Sequence, residues 1–213
     1  MSNKIFYMPF DVSKPNILAA QFEYGNVPGG YNKNQIEIDR EISKGNVSLE
    51  IWYDGKKSPF LAGMTDGQLY IRGHGMPGFR SIEGGRGGER VDYGTVIDRL
   101  IKSGLRKTFM GKIKCFNCHS AETGVIGSDP EVEGPPFARL IADEMYTRGY
   151  KHCTFFGYLG AIDSYAKDGS AGIHKYARAK GGVEMARASE ARIQFTPTIQ
   201  FRKPNFFKRR FAA

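Results

Sequence analysis

The chain has 213 residues, of which 40% are apolar and 25% are charged, and its formal net charge is +9. Those values are ordinary for a soluble globular protein, and the length suffices for one domain with a sizeable core. No apolar run approaches the roughly 18 residues of a membrane-spanning helix, and the N-terminus has no apolar stretch of signal-peptide length. We therefore expect synthesis and folding in the cytoplasm, or export by a route without such a signal.

The three cysteines are too few, and odd in number, for a disulfide framework, which favours a reducing compartment. The positive charge favours anionic partners such as nucleic acid, acidic membranes or polyphosphates. It is densest in residues 201–213, FRKPNFFKRRFAA, where basic and phenylalanine residues alternate. This basic aromatic tail is predicted either to bind such a partner or to pack on the domain.

The N-terminal residues 1–45 show little periodicity and are predicted to be an irregular segment. Apolar and polar residues then alternate in NVSLEIWYDGK, residues 46–56, which predicts a half-buried strand before a turn. A second strand is predicted in GQLYIRGHG, residues 67–75. The glycine-rich stretch FRSIEGGRGGER, residues 79–90, predicts a flexible loop.

Two helices and three more strands are predicted in the rest of the chain. Helical spacing of apolar residues marks 93–104 and 135–149, each ending at a glycine. The apolar runs GKIKCFNC (111–118), HCTFFGYLGAI (152–162) and ARIQFTPTIQFRK (191–203) predict strands. Because strands and helices alternate, we expect a parallel α/β core within a single domain spanning 1–213.

The stretch KCFNCHSAETG, residues 114–124, contains Cys115, Cys118 and His119 in the C-x-x-C-H spacing of a c-type haem site. In that interpretation the cysteines form thioethers and His119 is an axial ligand. The absence of a visible export signal and the strand-like context argue against it, but a haem-carrying electron carrier remains the alternative prediction. A lone C-x-x-C pair lacks the second ligand pair of a structural zinc site, so no metal is predicted.

A second interpretation of this stretch pairs two residues, each of which follows a predicted strand. His74 follows one apolar strand and Cys118 follows another, with one helix between them. If the strands are parallel neighbours, both residues lie at the same edge of the sheet, where functional residues collect. An imidazole there can accept the thiol proton and generate the attacking thiolate. The backbone N–H groups of Gly75 and Cys118 are candidate oxyanion donors.

The segments LYIRGHG, IKCFNCHSA and PPFARLIADEMYTRGYKHCTFFGYLGAI resemble the caspase-like cysteine peptidases. Among these they are most similar to the autoprocessing cysteine protease domains of large bacterial toxins, over roughly residues 45–200. The resemblance implies a caspase-like three-layer sandwich with a mostly parallel central sheet, as a core spanning 46–200. It also implies a cysteine endopeptidase in which His74 and Cys118 form the catalytic dyad.

The resemblance further implies a bacterial toxin or effector protease that acts in virulence, secreted or injected into a target cell. Asn117 departs from the glycine that the toxin domains commonly have before the nucleophile, and the chain lacks the large toxin that such domains cut. A protein or peptide substrate cut in trans is one expectation. Other acyl-transfer chemistry and a non-catalytic caspase-like binding module stay open.

No cofactor is required for such a dyad, and no carboxylate is assigned to orient His74, although Asp54 and Asp66 are the nearest in the predicted core. Cys153 is predicted to be a small core residue. The toxin domains are activated by inositol hexakisphosphate on a basic face, so the resemblance implies an inositol polyphosphate site in the C-terminal third, and a solvated basic surface without a ligand is the alternative. The basic residues there are Lys175, Arg178, Lys180, Arg187, Arg192, Arg202, Lys203, Lys208, Arg209 and Arg210.

Overall fold

The structure is a computed structural model that describes residues 3–27, 31–125 and 133–198. The predicted tail at 201–213, with its five basic residues, lies outside the described residues, as does most of the stretch 125–132. The strands of the described part are β1 (Asn3–Asp11), β2 (Asn26–Val27), β3 (Tyr31–Asn32), β4 (Val47–Tyr53), β5 (Gln68–Arg72), β6 (Ser81–Glu83), β7 (Arg90–Asp92), β8 (Lys112–Phe116), β9 (Gly124–Val125), β10 (Glu133–Gly134), β11 (Thr154–Tyr158), β12 (Ala161–Ile162), β13 (Tyr176–Arg178), β14 (Glu184–Arg187) and β15 (Arg192–Phe195).

The helices of the same ranges are α1 (Ile17–Tyr24), α2 (Lys33–Ile42), α3 (Pro59–Gly63), α4 (Tyr93–Lys102) and α5 (Phe137–Thr147), with one short 3₁₀ turn at Lys180–Gly182. Their ends follow ordinary capping chemistry. The side chain of Asp92 accepts the N–H of Thr95 at the start of α4. Gly104, just past the end of α4, has a φ of +108°, which a residue with a Cβ rarely adopts.

Six strands form one central sheet in the order β15-β11-β8-β5-β1-β4. All of its neighbours are parallel except β15, which runs antiparallel to β11. The prediction of an α/β protein with a mostly parallel sheet is therefore confirmed. Because β5 and β8 are direct neighbours, the sheet brings their carboxyl ends together.

Helices cover both faces of this sheet. Tyr7 and Ile71 are paired in register on one face, where the Tyr7 hydroxyl lies 3.0 Å from the Ser103 hydroxyl at the end of α4. Arg72 follows Ile71 and so faces the other side, where it donates to the side chain of Asn34 on α2. Most of the buried apolar side chains form one continuous cluster, and Phe116, Tyr158 and Ala188 form a second, smaller one.

The prediction of an irregular N-terminal segment at 1–45 is wrong. Residues 3–11 form β1, which lies between β4 and β5 in the sheet, and two helices follow it. The run from Ile5 to Phe10 is buried on both faces of the strand. A strand buried on both faces has no apolar–polar alternation, so a search for period-two patterns overlooks it.

The remaining predicted elements agree with the structure, with one exception. The strands predicted around 47–53, 68–72, 112–116, 154–158 and 192–195 are β4, β5, β8, β11 and β15, and the two predicted helices are α4 and α5. The glycine-rich stretch is not a flexible loop: Ser81–Glu83 and Arg90–Asp92 pair as a hairpin around its glycines. No helix in the described ranges is long and apolar enough to cross a membrane.

Candidate functional site

His74 lies just beyond the carboxyl end of β5, and hydrogen bonds of its own backbone hold it there. Its N–H donates to the carbonyl of Glu83 at 2.7 Å, and its carbonyl accepts the Glu83 N–H at 2.9 Å. These bonds tie the turn after β5 to β6. The preceding Gly73 has no room for a side chain, because a Cβ there would lie 2.8 Å from the Ile82 side chain. The imidazole itself remains 46% exposed.

Cys118 occupies the corresponding place after β8. Arg72 and Phe116, the last residues of the two strands, are paired in register. His74 and Cys118 therefore each stand two positions beyond the same rung of the sheet. The Cys118 Sγ accepts the N–H of Ile162 at 3.3 Å, which places the thiol beneath the short strand β12.

The two predicted catalytic side chains line one cavity of about 100 Å³, together with Glu23, Tyr24 and Ile162. The third predicted site residue, Gly75, packs directly against the turn that carries the cysteine. A Cβ at Gly75 would lie 2.4 Å from the Cys118 carbonyl oxygen, so only glycine fits this approach. The structure thus brings His74, Gly75 and Cys118 together at one edge of the sheet.

The backbone donor predicted at Gly75 has no competing partner. Across the described residues, the Gly75 N–H makes no hydrogen bond, and it lies beside the turn that carries Cys118. An N–H group without a partner among the described residues can still donate to a ligand or to water, although Gly75 itself does not line the cavity. The role of the Gly75 and Cys118 N–H groups as oxyanion donors stays a prediction.

The thiol at the site is protonated in the resting protein. Burial raises the pKa of Cys118, and the carboxylates of Asp163 and Glu23 raise it further, while the N–H groups of Ile162 and of Cys118 itself lower it. A raised thiol pKa means that little thiolate forms at neutral pH without a base. The neighbouring imidazole is the group that can supply that base.

The C-x-x-C-H residues do not share one surface. Cys115 is completely buried in the core, with its pKa raised by burial alone, whereas Cys118 lines the cavity. His119 lies in a left-handed turn with a φ of +58°, and its Nδ1 is 3.0 Å from the Glu122 carboxylate. Haem attachment at Cys115 would require the core to open, so the geometry favours the Cys–His interpretation of this stretch.

Asn117 stands where the toxin domains commonly have glycine. Its side chain fits into the turn, but its polar atoms are left without hydrogen-bond partners among the described residues. It is 2% exposed, and neither its Oδ1 nor its Nδ2 has a hydrogen-bond partner among the described residues. Its Nδ2 lies 2.6 Å from the position of a Cβ at Gly75, so the carboxamide fills the space over that glycine. Cys153, predicted to be a core residue, is partly buried and donates its thiol to the Phe109 carbonyl at 3.2 Å.

The carboxylate nearest to His74 was not identifiable from the sequence. Asp66 precedes β5 and so lies at the opposite edge of the sheet, and Asp54 accepts the Lys56 N–H in an exposed turn. Instead, the Oε1 of Glu23 lies 3.4 Å from the His74 Nε2. Glu23 is on α1, inside the segment predicted to be irregular, and no local motif marks it.

A second cavity, of about 170 Å³, is basic on balance, because five cationic side chains line it against the two carboxylates of Glu37 and Glu41. It lies on the sheet face that carries α2, and Phe116 lines both this cavity and the one at Cys118. Three of the basic residues singled out in the sequence, Lys175, Arg187 and Arg192, reach it. Arg178 is instead paired with the buried carboxylate of Asp163 at 2.9 Å. The cationic side chains that line this second cavity are those of Arg40, Lys114, Lys175, Arg187 and Arg192.

Two lysines of this basic cavity, the buried Lys114 and the partly buried Lys175, have lowered pKa values. Burial lowers the pKa of Lys114 to about 7, with help from Arg192 and other nearby cations. Burial lowers the pKa of Lys175 to about 8, against the opposing effect of Glu37, whose carboxylate is 2.6 Å from its ammonium. Lys114 contacts the neutral Gln68 and Tyr70 side chains, so an anion in the cavity would meet a cation with no carboxylate attached.

No group of three or more His, Cys, Asp and Glu side chains in the described part of the chain is placed to hold a metal ion. No protein-family model matches the chain, and no curated protein matches it significantly. The geometry of the site and the sequence motifs at the ends of β5 and β8 are therefore the features that point to a function.

Proposed function

We propose that the protein is a caspase-like cysteine endopeptidase in which Cys118 is the nucleophile and His74 is the general base. One observation carries the proposal: the two side chains line the same cavity at the carboxyl edge of neighbouring parallel strands. The partly buried thiol, whose pKa burial raises, and the exposed imidazole are the two halves of a proton-transfer pair.

The chemistry follows from these positions. His74 accepts the Cys118 proton, and the sulfur attacks the carbonyl carbon of a peptide bond. The oxyanion that forms faces the N–H groups of Gly75 and Cys118. The imidazolium then gives its proton to the departing amine, which leaves a thioester on Cys118. A water molecule, deprotonated by the neutral imidazole, hydrolyses that thioester and frees the thiol.

The architecture supports a caspase-like fold in particular. A His-bearing strand, a helix and a Cys-bearing strand follow one another, and helices lie on both faces of the sheet. Three-layer α/β sandwiches of other kinds share these features, and the order of the GHG and Cys motifs after β5 and β8 supports the caspase-like kind. The same motifs support a bacterial toxin or effector protease that acts on a protein or peptide in another cell, after synthesis in the cytoplasm and secretion or injection.

The basic cavity supports an anionic activator of the inositol polyphosphate class. Five cationic side chains surround it, and two of them are lysines with lowered pKa values. A polyphosphate there would restore their full protonation and receive charge-assisted hydrogen bonds. Since Phe116 also lines the Cys118 cavity, the ligand would contact the element that ends at the nucleophile.

Labelling with a peptidyl acyloxymethyl ketone, a thiol-directed substrate mimic, tests the catalytic assignment. We expect one label on Cys118 in the wild type and in Cys115→Ala and Cys153→Ala, no label in Cys118→Ala, and slow labelling in His74→Ala. Equal labelling of the wild type and His74→Ala would contradict the dyad. Hydrolysis of a fluorogenic peptide library by the same proteins separates a peptidase from a non-catalytic binding module.

A further inference from the structure

We propose that Glu23 is a positioning residue that orients His74 for its reaction with Cys118. The inference rests on the peptidase function proposed above and adds a third member to the dyad. Its starting point is the 3.4 Å separation between the Glu23 Oε1 and the His74 Nε2. The two residues are 51 positions apart in the chain and come from different elements, α1 and the turn after β5.

The surrounding structure fixes Glu23 in this place. The neighbouring Tyr24 is 4% exposed, and its ring centroid lies 6.2 Å from that of His74. On the other side, the β6–β7 hairpin packs on α1 so closely that a Cβ at Gly85 would lie 2.8 Å from the Ala19 carbonyl and 3.3 Å from the Glu23 Cβ. The last turn of α1 therefore packs against the hairpin on one side and lines the cavity on the other.

A carboxylate at Nε2 selects one form of the imidazole. Neutral histidine carries its proton on one ring nitrogen and a lone pair on the other. A negative oxygen beside Nε2 favours the proton there, which leaves the lone pair on Nδ1 to accept the thiol proton. Once His74 is protonated, the same carboxylate stabilises the imidazolium. Both effects favour the proton transfer from Cys118.

Other charged groups surround Glu23 and His74. They determine how strongly Glu23 is expected to affect the reactivity of Cys118. The Lys33 ammonium lies 3.4 Å from the same Glu23 oxygen, and the guanidinium of Arg72 lines the cavity. The Asp163 carboxylate, which is paired with Lys167 and Arg178, also raises the pKa of Cys118. The Glu23 side chain is also 32% exposed, so water screens it. We therefore expect an effect of roughly 10-fold, smaller than that of a fully buried triad carboxylate.

The test is the rate at which iodoacetamide alkylates Cys118, followed by peptide mass mapping between about pH 5 and pH 9. Glu23→Gln keeps the shape of the side chain and removes its charge. We expect the rate at neutral pH to fall about 10-fold and the pH profile to differ from that of the wild type, because the imidazolium loses its counter-ion. Lys33→Met, which removes the competing cation, should raise the rate at neutral pH.

A matched control is Glu144→Gln on α5, whose side chain is 34% exposed and ion-paired with Arg148 at 2.7 Å. It changes the net charge equally and should leave the rate and the profile unchanged. A Glu23→Gln profile that coincides with the wild type, while His74→Ala alkylates slowly, would overturn the positioning role and leave the dyad standing. Alkylation that is equally fast in His74→Ala would instead overturn the dyad.

Discussion

At the scale of the residue, Gly75 is under the strictest steric constraint near the thiol. A Cβ at this position would lie 2.4 Å from the Cys118 carbonyl oxygen and 2.6 Å from the Asn117 Nδ2. We expect Gly75→Ala to push the turn after β8 away from His74, because the new methyl group has no free volume. Cys118 labelling by the peptidyl ketone should be lost, and unfolding should become easier by roughly 1–3 kcal/mol.

Gly63→Ala is the matched control for that substitution. Nothing lies within 4 Å of a Cβ at Gly63, and its φ is not positive. Urea unfolding and labelling should both match the wild type in this variant. Normal labelling of Gly75→Ala would mean that the close approach of the two turns has no part in the chemistry.

The lowered pKa of Lys114 makes the free energy of unfolding depend on pH, and the direction of that dependence follows from the shift. Its pKa is lowered to about 7 in the folded protein, so between about pH 7 and pH 10 the unfolded chain binds more protons than the native one. The folded state is therefore least stable, relative to the unfolded one, at and below pH 7, where the buried ammonium is charged. Stability due to this group rises as the pH increases toward 10.

Lys114→Met removes the buried charge and keeps the apolar stem. We expect it to raise the free energy of unfolding at pH 6 by roughly 2 kcal/mol, and the gain to shrink by pH 10. Urea denaturation at the two pH values measures it. The exposed Lys112 on the same strand provides the control Lys112→Met, which should show neither the gain nor its pH dependence. A constant gain at both pH values would exclude titration of Lys114 as its source.

At the scale of the element, β1 lies between β4 and β5 in the sheet and hydrogen-bonds to both. Phe10 near its end is completely buried and stacks on Tyr24, at a centroid distance of 6.4 Å, beside the cavity of the site. We expect Phe10→Ala to destabilise the protein by about 3–5 kcal/mol through the cavity that it leaves. Thermal unfolding measures the loss. Phe22→Ala, at a position 73% exposed on α1, should stay within about 0.5 kcal/mol of the wild type.

The elements also show how far the sequence could predict the site. β5, α4 and β8 have clear local patterns, and the rule that parallel strands end at one edge placed His74 and Cys118 together. The strand β1 was missed because both of its faces are buried. Glu23 and Lys114 owe their properties to neighbours that are distant in the chain, which no local pattern encodes.

At the scale of the whole molecule, two cavities are linked through the same strand end. Phe116 lines both, and its ring meets that of Tyr158 at 5.0 Å, with the Lys175 ammonium 4.7 Å from its centroid. Lys175 directly precedes β13, which pairs with β12, and β12 supplies the N–H that binds the Cys118 sulfur. A ligand that holds Lys175 therefore acts on the three-stranded sheet β12-β13-β14 that covers the thiol.

We expect inositol hexakisphosphate to bind the basic cavity and to stabilise the protein. A ligand at 100 times its Kd adds about 2.7 kcal/mol to the free energy of unfolding, and a chain of this size gains roughly 2–4 °C in Tm for each kcal/mol. The shift should shrink as salt rises from 50 to 500 mM, because the contacts are ionic. In Arg192→Met, which removes a cation from the cavity, we expect a smaller shift and weaker binding by calorimetry.

Inorganic phosphate at the same ionic strength is the control ligand, since it cannot span several of the cations at once. The Cys118 alkylation rate should rise on binding of inositol hexakisphosphate and not with phosphate, because only a ligand that engages Lys175 acts on the β12-β13-β14 sheet over the thiol. Stabilisation that is equal in the wild type and Arg192→Met would place the ligand elsewhere on this basic protein. Binding that leaves the alkylation rate unchanged would separate the basic cavity from the catalytic one, in spite of the side chain they share.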